Sequence, residues 1–277
     1  MDAPFVSWHW CREHHDAIVF ADVRWHLDRR GYQEYAEGHI PGAAFIDLDR
    51  ELAGEGAPTD GRHPLPTPEA FARAMANAGI DGTKTVVAYD SIGGGAAARL
   101  VWLLRQIDIN AAILDGGLSD VDVELETGWP HISPTTFPVR PWPKSAFANT
   151  SQTLQASQTR EVVLIDARPR ARFRGEVAGP DKRRGHIPSA QNLPIETHVT
   201  PTGHLLPQAA LRERFAAAGV DGTRPVISYC GSGVTGCHNL LVMEYLGLPA
   251  GRLYPASFSG WAADERMPVE TAQSAAS

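Results

Sequence analysis

At 277 residues the chain is long enough for two compact domains, and 43% apolar with 21% charged residues is an ordinary globular composition. A net charge of −7 argues against nucleic acid or an anionic membrane as partner, since both call for a basic surface. No apolar run reaches membrane-spanning length, and the start, Met1-Asp2-Ala3-Pro4, lacks the basic region of a secretory signal. Cys11, Cys230 and Cys237 are an odd, sparse set that suits a reducing compartment better than a disulfide framework, so a cytoplasmic location is expected.

His9, Cys11, His14 and His15 match no zinc spacing and read as a polar edge segment, so no metal is expected. Ala17–Ala21 reads as a buried strand leading into Asp22-Val23-Arg24, and Gly38-His39-Ile40-Pro41-Gly42-Ala43 follows. A second apolar run, Thr85–Ala88 with Tyr89, ends at Asp90 and is followed by Gly93-Gly94-Gly95. No Lys-Ser/Thr follows those glycines, which excludes a Walker phosphate loop. Residues 96–106 have helical periodicity, and Ile113-Leu114-Asp115-Gly116-Gly117 closes the half. Prolines at 130, 134, 138, 141 and 143 predict an extended, semi-rigid connector over 129–149.

The second half repeats the first. Asp166-Ala167-Arg168, after Val162–Ile165, echoes Asp22-Val23-Arg24, and Gly185-His186-Ile187-Pro188-Ser189-Ala190 echoes residues 38–43. Ala218-Gly219-Val220-Asp221-Gly222-Thr223 answers Ala78-Gly79-Ile80-Asp81-Gly82-Thr83 at an offset that sets Asp90 opposite Cys230. One copy therefore keeps the loop and lacks the thiol. Strands alternate with helical patterns in each copy, which predicts two tandem α/β domains, each a central, mainly parallel sheet flanked by helices. The expected boundaries are 1–128 for the silent domain, 129–149 for the connector, 150–270 for the cysteine domain and 271–277 for a flexible tail.

Cys230 ends the run Val226-Ile227-Ser228-Tyr229 and opens the loop Gly231-Ser232-Gly233-Val234-Thr235; a helical pattern over 236–246, with Gly247 at the cap position, comes next. A glycine-rich loop of this kind turns backbone N–H groups inward as an anion nest, and the positive end of the following helix adds to its field. Such surroundings favour a thiolate nucleophile over an inert buried thiol. The nest suits attack on a sulfane sulfur or on phosphorus. A cysteine phosphatase would close the loop with arginine six residues on, where this chain has Gly236, so sulfur transfer through a persulfide fits better.

The loop Cys230-Gly231-Ser232-Gly233-Val234-Thr235 is similar to the active-site loop of tandem-domain sulfurtransferases of the rhodanese superfamily, specifically the 3-mercaptopyruvate type. The thiosulfate-using type has an Arg-Lys pair at the positions of Gly231-Ser232. The resemblance implies an enzyme without a cofactor that takes sulfur from 3-mercaptopyruvate on Cys230. It would pass the sulfur to cyanide, a thiol or a thioredoxin-like acceptor. It implies a relay of Ser232, His63 (in Asp60-Gly61-Arg62-His63-Pro64) and Asp47 (ending the segment 38–47). It also implies donor binding by Arg172, by Arg183 in a segment shorter than the family's, and by Gly231, Gly233, Val234 and Thr235 of the loop. The alternatives are a thiosulfate:cyanide sulfurtransferase and a non-catalytic sulfur-carrier or regulatory module. The sequence departs from the family near its end. The usual Gly-Ser-Trp-x-Glu-Trp is replaced by Ala256-Ser257-Phe258-Ser259-Gly260-Trp261, which predicts an altered pocket wall. Cys237, inside the helical pattern, is expected to be buried and structural.

Overall fold

The structure, a computed structural model, describes residues 3–26 and 31–272; 273–277 of the predicted tail lie outside them, as do Met1 and Asp2. It divides into two compact units, one of residues 1–54, 65–143 and 199–205, the other of residues 55–64, 144–198 and 206–277. Each unit thus incorporates a short segment from the opposite half of the sequence.

The first unit is built on strands β1 (Phe5–Val6), β2 (Ile18–Asp22), β3 (Ala44–Phe45), β4 (Thr85–Tyr89) and β5 (Ala111–Leu114), in the order β1-β5-β4-β2-β3. The second uses β6 (Val163–Asp166), β7 (Gln191–Asn192), β8 (Val226–Tyr229) and β9 (Arg252–Leu253), in the order β7-β6-β8-β9. Every ladder is parallel. Uninterrupted apolar runs rather than alternating ones are what a parallel sheet covered on both faces requires, and every residue of β4, β6 and β8 is buried.

The duplication extends to atomic detail. Asp22 pairs with Tyr89 across β2 and β4, as Asp166 pairs with Tyr229 across β6 and β8. Arg24 and Arg168 each hold their aspartate at 2.6 Å and also donate to a carbonyl, of Gly38 or Gly185. The tyrosine hydroxyls accept from the N–H groups of Ile40 and Ile187. The histidines of the two Gly-His-Ile-Pro motifs donate through Nδ1 to the carbonyls of Tyr35 and Phe173 and stack on the rings of the same residues. These repeated motifs seal the strand ends. Deleting one partner of such a buried ion pair costs roughly 3–5 kcal/mol, because it strands the other charge.

Two stretches are more ordered than their composition suggests. Of the segment with His9, Cys11, His14 and His15, Trp8–Glu13 forms a helix capped by Ser7, which sends Trp8 and Cys11 into the core, while His14 and His15 follow its end. Burial pushes the Cys11 thiol up to about 12, so it is a poor nucleophile. Residues 129–143 carry no helix or strand, yet Phe137 and Trp142 pack edge-on against Phe71 and the Trp142 indole donates to Pro66 O at 2.8 Å. They belong to the first unit, while 144–149 belong to the second. No helix among the described residues is long and apolar enough to cross a membrane.

Candidate active site

Cys230 follows the last residue of β8, at the carboxyl edge where parallel sheets present their loops, and is 2% exposed. The Gly233 N–H points back at its Sγ, 3.2 Å away. The two loop glycines have different tasks. Gly233 sits at φ +82°, a conformation that side chains resist, and a Cβ there would lie 2.5 Å from Pro255 O. Gly231 has ordinary backbone; a Cβ there would lie 2.9 Å from Arg62 Nη2, which would have to shift, and in ordinary contact, 3.6 and 3.7 Å, with Arg172. Thr235 leads into the helix Gly236–Tyr245. That helix ends as predicted at Gly247, at φ +68°, with Gly247 N–H on Glu244 O and Leu248 N–H on Met243 O, a Schellman cap. Cys237 is fully buried and its thiol donates to Gly233 O at 3.5 Å.

The matching loop of the first unit displays the nest directly. Asp90 Oδ1 accepts from Ile92 and Gly94, and Oδ2 from Ala96 and Ala97, at 2.7–2.9 Å. Burial pushes this carboxyl above its usual range while the four N–H donors pull it back. A terminal oxygen of aspartate is as many bonds from Cα as the outer sulfur of a cysteine persulfide. The loop of the first unit is therefore filled by its own carboxylate.

His63, on residues 55–64, lies 2.7 Å through Nδ1 from Ser232 Oγ, and both side chains are buried. Asp47 belongs to the first unit, where Oδ1 caps the helix Leu48–Glu51 by accepting from the N–H groups of Asp49 and Arg50. Arg172 pairs through Nη2 with Asp181 Oδ2 at 2.7 Å and leans towards Gly231. Val234 is buried and Thr235 half-buried at the head of the helix.

Arg183 is placed elsewhere. Its guanidinium donates to the carbonyls of Trp261, Ala262, Asp264 and Met267, wrapping the end of the helix Ser257–Ala263. Four of the five guanidinium N–H donors of Arg183 are thus engaged by main-chain carbonyls of that helix and the turn after it. The residue that stands by the loop is Arg62, which the sequence reading passed over although it adjoins His63. It shares Asp181 with Arg172. The Gly231-Ser232 pair itself brings no cation, but two guanidiniums reach the loop from neighbouring segments.

The departures near the end of the chain have a packing role. Cys230 N–H donates to Ser257 Oγ, while Phe258 N–H and Ser259 N–H donate to the carbonyls of Cys230 and Gly231. The Phe258 ring lies under the Arg168 guanidinium, 3.9 Å from its centroid. At Gly260 a Cβ would lie 2.5 Å from Thr59 O, so the absence of a side chain there admits the segment 55–64 that carries Arg62 and His63.

Two parallel α/β units, one with a thiol and one with a carboxylate in the same loop, define a duplicated cysteine-loop protein. A family model described as a rhodanese-like domain matches twice, over residues 8–123 and 149–264, and the chain belongs to that family. It is 39% identical to the probable 3-mercaptopyruvate sulfurtransferase of Pseudomonas aeruginosa over 269 residues, 92% of each chain. It is 36% identical over 261 residues to the putative thiosulfate sulfurtransferase SseB of Mycobacterium tuberculosis, covering 92% of this chain and 91% of the relative. The crystal structure of SseA from Escherichia coli, a 3-mercaptopyruvate sulfotransferase with the rhodanese fold, superposes with a TM-score of 0.81 at 36% identity, over 92% of this chain and 99% of that one.

Proposed function

We propose that the chain is a sulfurtransferase that moves sulfur from 3-mercaptopyruvate to a thiophilic acceptor through a persulfide on Cys230, releasing pyruvate. The observation that carries the donor assignment is the Ser232–His63 pair two residues from the cysteine. The Cys230 thiolate attacks the sulfur of the donor, the S–S bond forms and the donor's C–S bond breaks. The thiol proton of the donor passes to the methylene carbon, giving pyruvate, so charge and atoms balance. A hydroxyl hydrogen-bonded to an imidazole suits that proton transfer. Thiosulfate needs no such step, since sulfite departs without a proton. The outer sulfur of the persulfide would take the place that the Asp90 carboxylate fills in the first unit. An acceptor thiolate or cyanide then removes that sulfur and regenerates the Cys230 thiolate. Cyanide, small thiols and a thioredoxin-like protein all satisfy this step, and free cysteines suit a reducing cytoplasm.

The test is pyruvate release from 3-mercaptopyruvate beside sulfite release from thiosulfate, with cyanide as acceptor, and mass spectrometry of the donor-treated protein. One added sulfur on Cys230, abolished in Cys230→Ser, is expected, with kcat/KM higher for 3-mercaptopyruvate. Sulfur carried only on Cys11 or Cys237 would overturn the assignment, and a preference for thiosulfate would transfer it to the thiosulfate:cyanide reaction.

A further inference from the structure

Arg62 and Arg172 approach one carboxylate. Asp181, whose side chain is 4% exposed, gives Oδ1 to Arg62 Nη1 and Oδ2 to Arg172 Nη2. A structural ion pair would balance one arginine with one acid; here two guanidiniums share a single charge, leaving an excess positive charge beside the cysteine loop. Of the donors of Arg62, Nη1 is engaged by Asp181, whereas Nε is buried with no acceptor within reach. Buried guanidinium N–H groups are seldom left so, because an unmet charged donor is costly. The free edges face a defined point. The position of a Cβ on Gly231 lies 2.9 Å from Arg62 Nη2 and 3.6 Å from Arg172 Nη2, so a ligand oxygen above Gly231 would be within reach of both.

Arg62 is also fixed in place. Its own N–H donates to Ser259 Oγ at 3.1 Å, and Gly61 before it sits at φ +87°, where a Cβ would lie 2.4 Å from Ala256 O. The main chain leading to the guanidinium is therefore preorganised, which spares binding the cost of ordering it.

We propose that Arg62 is a second carboxylate-recognition residue for the sulfur donor, acting with Arg172 across Gly231, and that Asp181 is a positioning residue that holds the two guanidiniums at that spacing. The class of donor selected is a short 2-oxo acid whose sulfur lies two carbons from its carboxyl group. This rests on the sulfurtransferase reading above and adds to it the residue that recognises the acid. It also accounts for glycine at position 231: a side chain there would displace Arg62 and fill the carboxylate position.

The experiment measures pyruvate release from 3-mercaptopyruvate by the full chain and by R62Q, R62K, D181N, G231A, R172Q and the R62Q/G231A double variant. Cys230 loading from inorganic polysulfide, a donor without a carboxylate, is followed by mass spectrometry. R62Q is expected to raise KM 10- to 100-fold with kcat within about threefold, and to leave polysulfide loading within about threefold. R62K, which keeps the charge and loses the planar fork, should fall between R62Q and wild type. D181N should raise KM about tenfold as the guanidiniums separate. G231A should raise KM, and combining it with R62Q should add less than twofold, since both remove the same contact. Equal losses with both donors would make Arg62 structural and overturn the proposal. An unchanged KM in R62Q beside a raised KM in R172Q would overturn it too, while leaving the sulfurtransferase reading intact. A wild-type protein that loads from polysulfide but releases no pyruvate would remove that reading, and the Arg62 assignment with it.

Discussion

Replacing Asp90 by alanine tests whether the loop of the first unit is an anion nest filled from within. The side chain accepts four main-chain N–H groups at 2.7–2.9 Å, two on each oxygen, and is 4% exposed. Alanine removes the acceptor and leaves four donors converging on a void. An unmet buried donor costs about 1–3 kcal/mol. Water entering from the adjoining cavity, lined by Asp90, Gly93 and Gly117, recovers part of that. A net loss of about 2–4 kcal/mol is expected, with the lower end reflecting hydration and relief from burying a carboxylate. Asp90→Asn should be nearly as damaging, because the amide nitrogen must face two N–H groups that it cannot accept. The assay is urea unfolding followed by hydrogen exchange of the Gly94, Ala96 and Ala97 amides, which isolates the first unit from the second. At temperatures where both variants are folded, pyruvate release should stay near wild type. A stability change below about 1 kcal/mol, or Asp90→Asn indistinguishable from wild type, would refute the nest. A hundredfold loss of turnover in a folded variant would mean that the first unit takes part in the chemistry.

His63→Ala should lower kcat/KM for 3-mercaptopyruvate by about 10²–10⁴ and for thiosulfate by less than about tenfold, since only the former requires a proton to move; equal losses would make His63 structural. Arg183→Met should lower the free energy of unfolding by about 2–4 kcal/mol from the lost charge-assisted bonds, with the KM for either donor moving less than threefold; a selective rise in KM would assign Arg183 to donor binding. His198 is held well below the ordinary imidazole range by burial, with His238, whose Nδ1 is 3.5 Å from its own, and Arg214 adding to the effect. Its folded value is depressed, so the unfolded chain binds the extra proton first. Stability is then complete above about pH 6.5 and falls below it by about 1.4 kcal/mol per pH unit until the folded value is reached. Urea midpoints from pH 7.5 to 5 should show this slope and His198→Gln a shallower one; parallel slopes would assign the acid sensitivity elsewhere.

Much of the fold can be read from one dimension. Runs such as Thr85–Tyr89 and Val226–Tyr229 are apolar without alternation, which only a sheet covered on both faces accommodates, and the repeated Asp-x-Arg and Gly-His-Ile-Pro motifs betray the duplication. Cys230 with its glycines, and Asp90 opposite it, needed only local spacing, because strand, loop and helix follow one another in the chain. The burial of Cys11 escaped that reading, since histidines around it mask a helix with one apolar stripe.

Tertiary structure decided where charges separated along the chain meet. Arg62 and Asp181 are far apart in sequence and joined in space, and neither has a neighbour that announces the pairing. Arg183 and Arg172 look alike in a run of basic residues, yet one is taken up by four carbonyls and the other faces the loop. The clearance at Gly260, which resembles a lost side chain, is occupied by the main chain at Thr59. The sequence by itself determined the two copies and the cysteine loop, because those depend on local backbone chemistry. Which arginine stands beside the cysteine loop was decided only by folding, because the reach of a long charged side chain depends on which distant carboxylate or carbonyl captures it first.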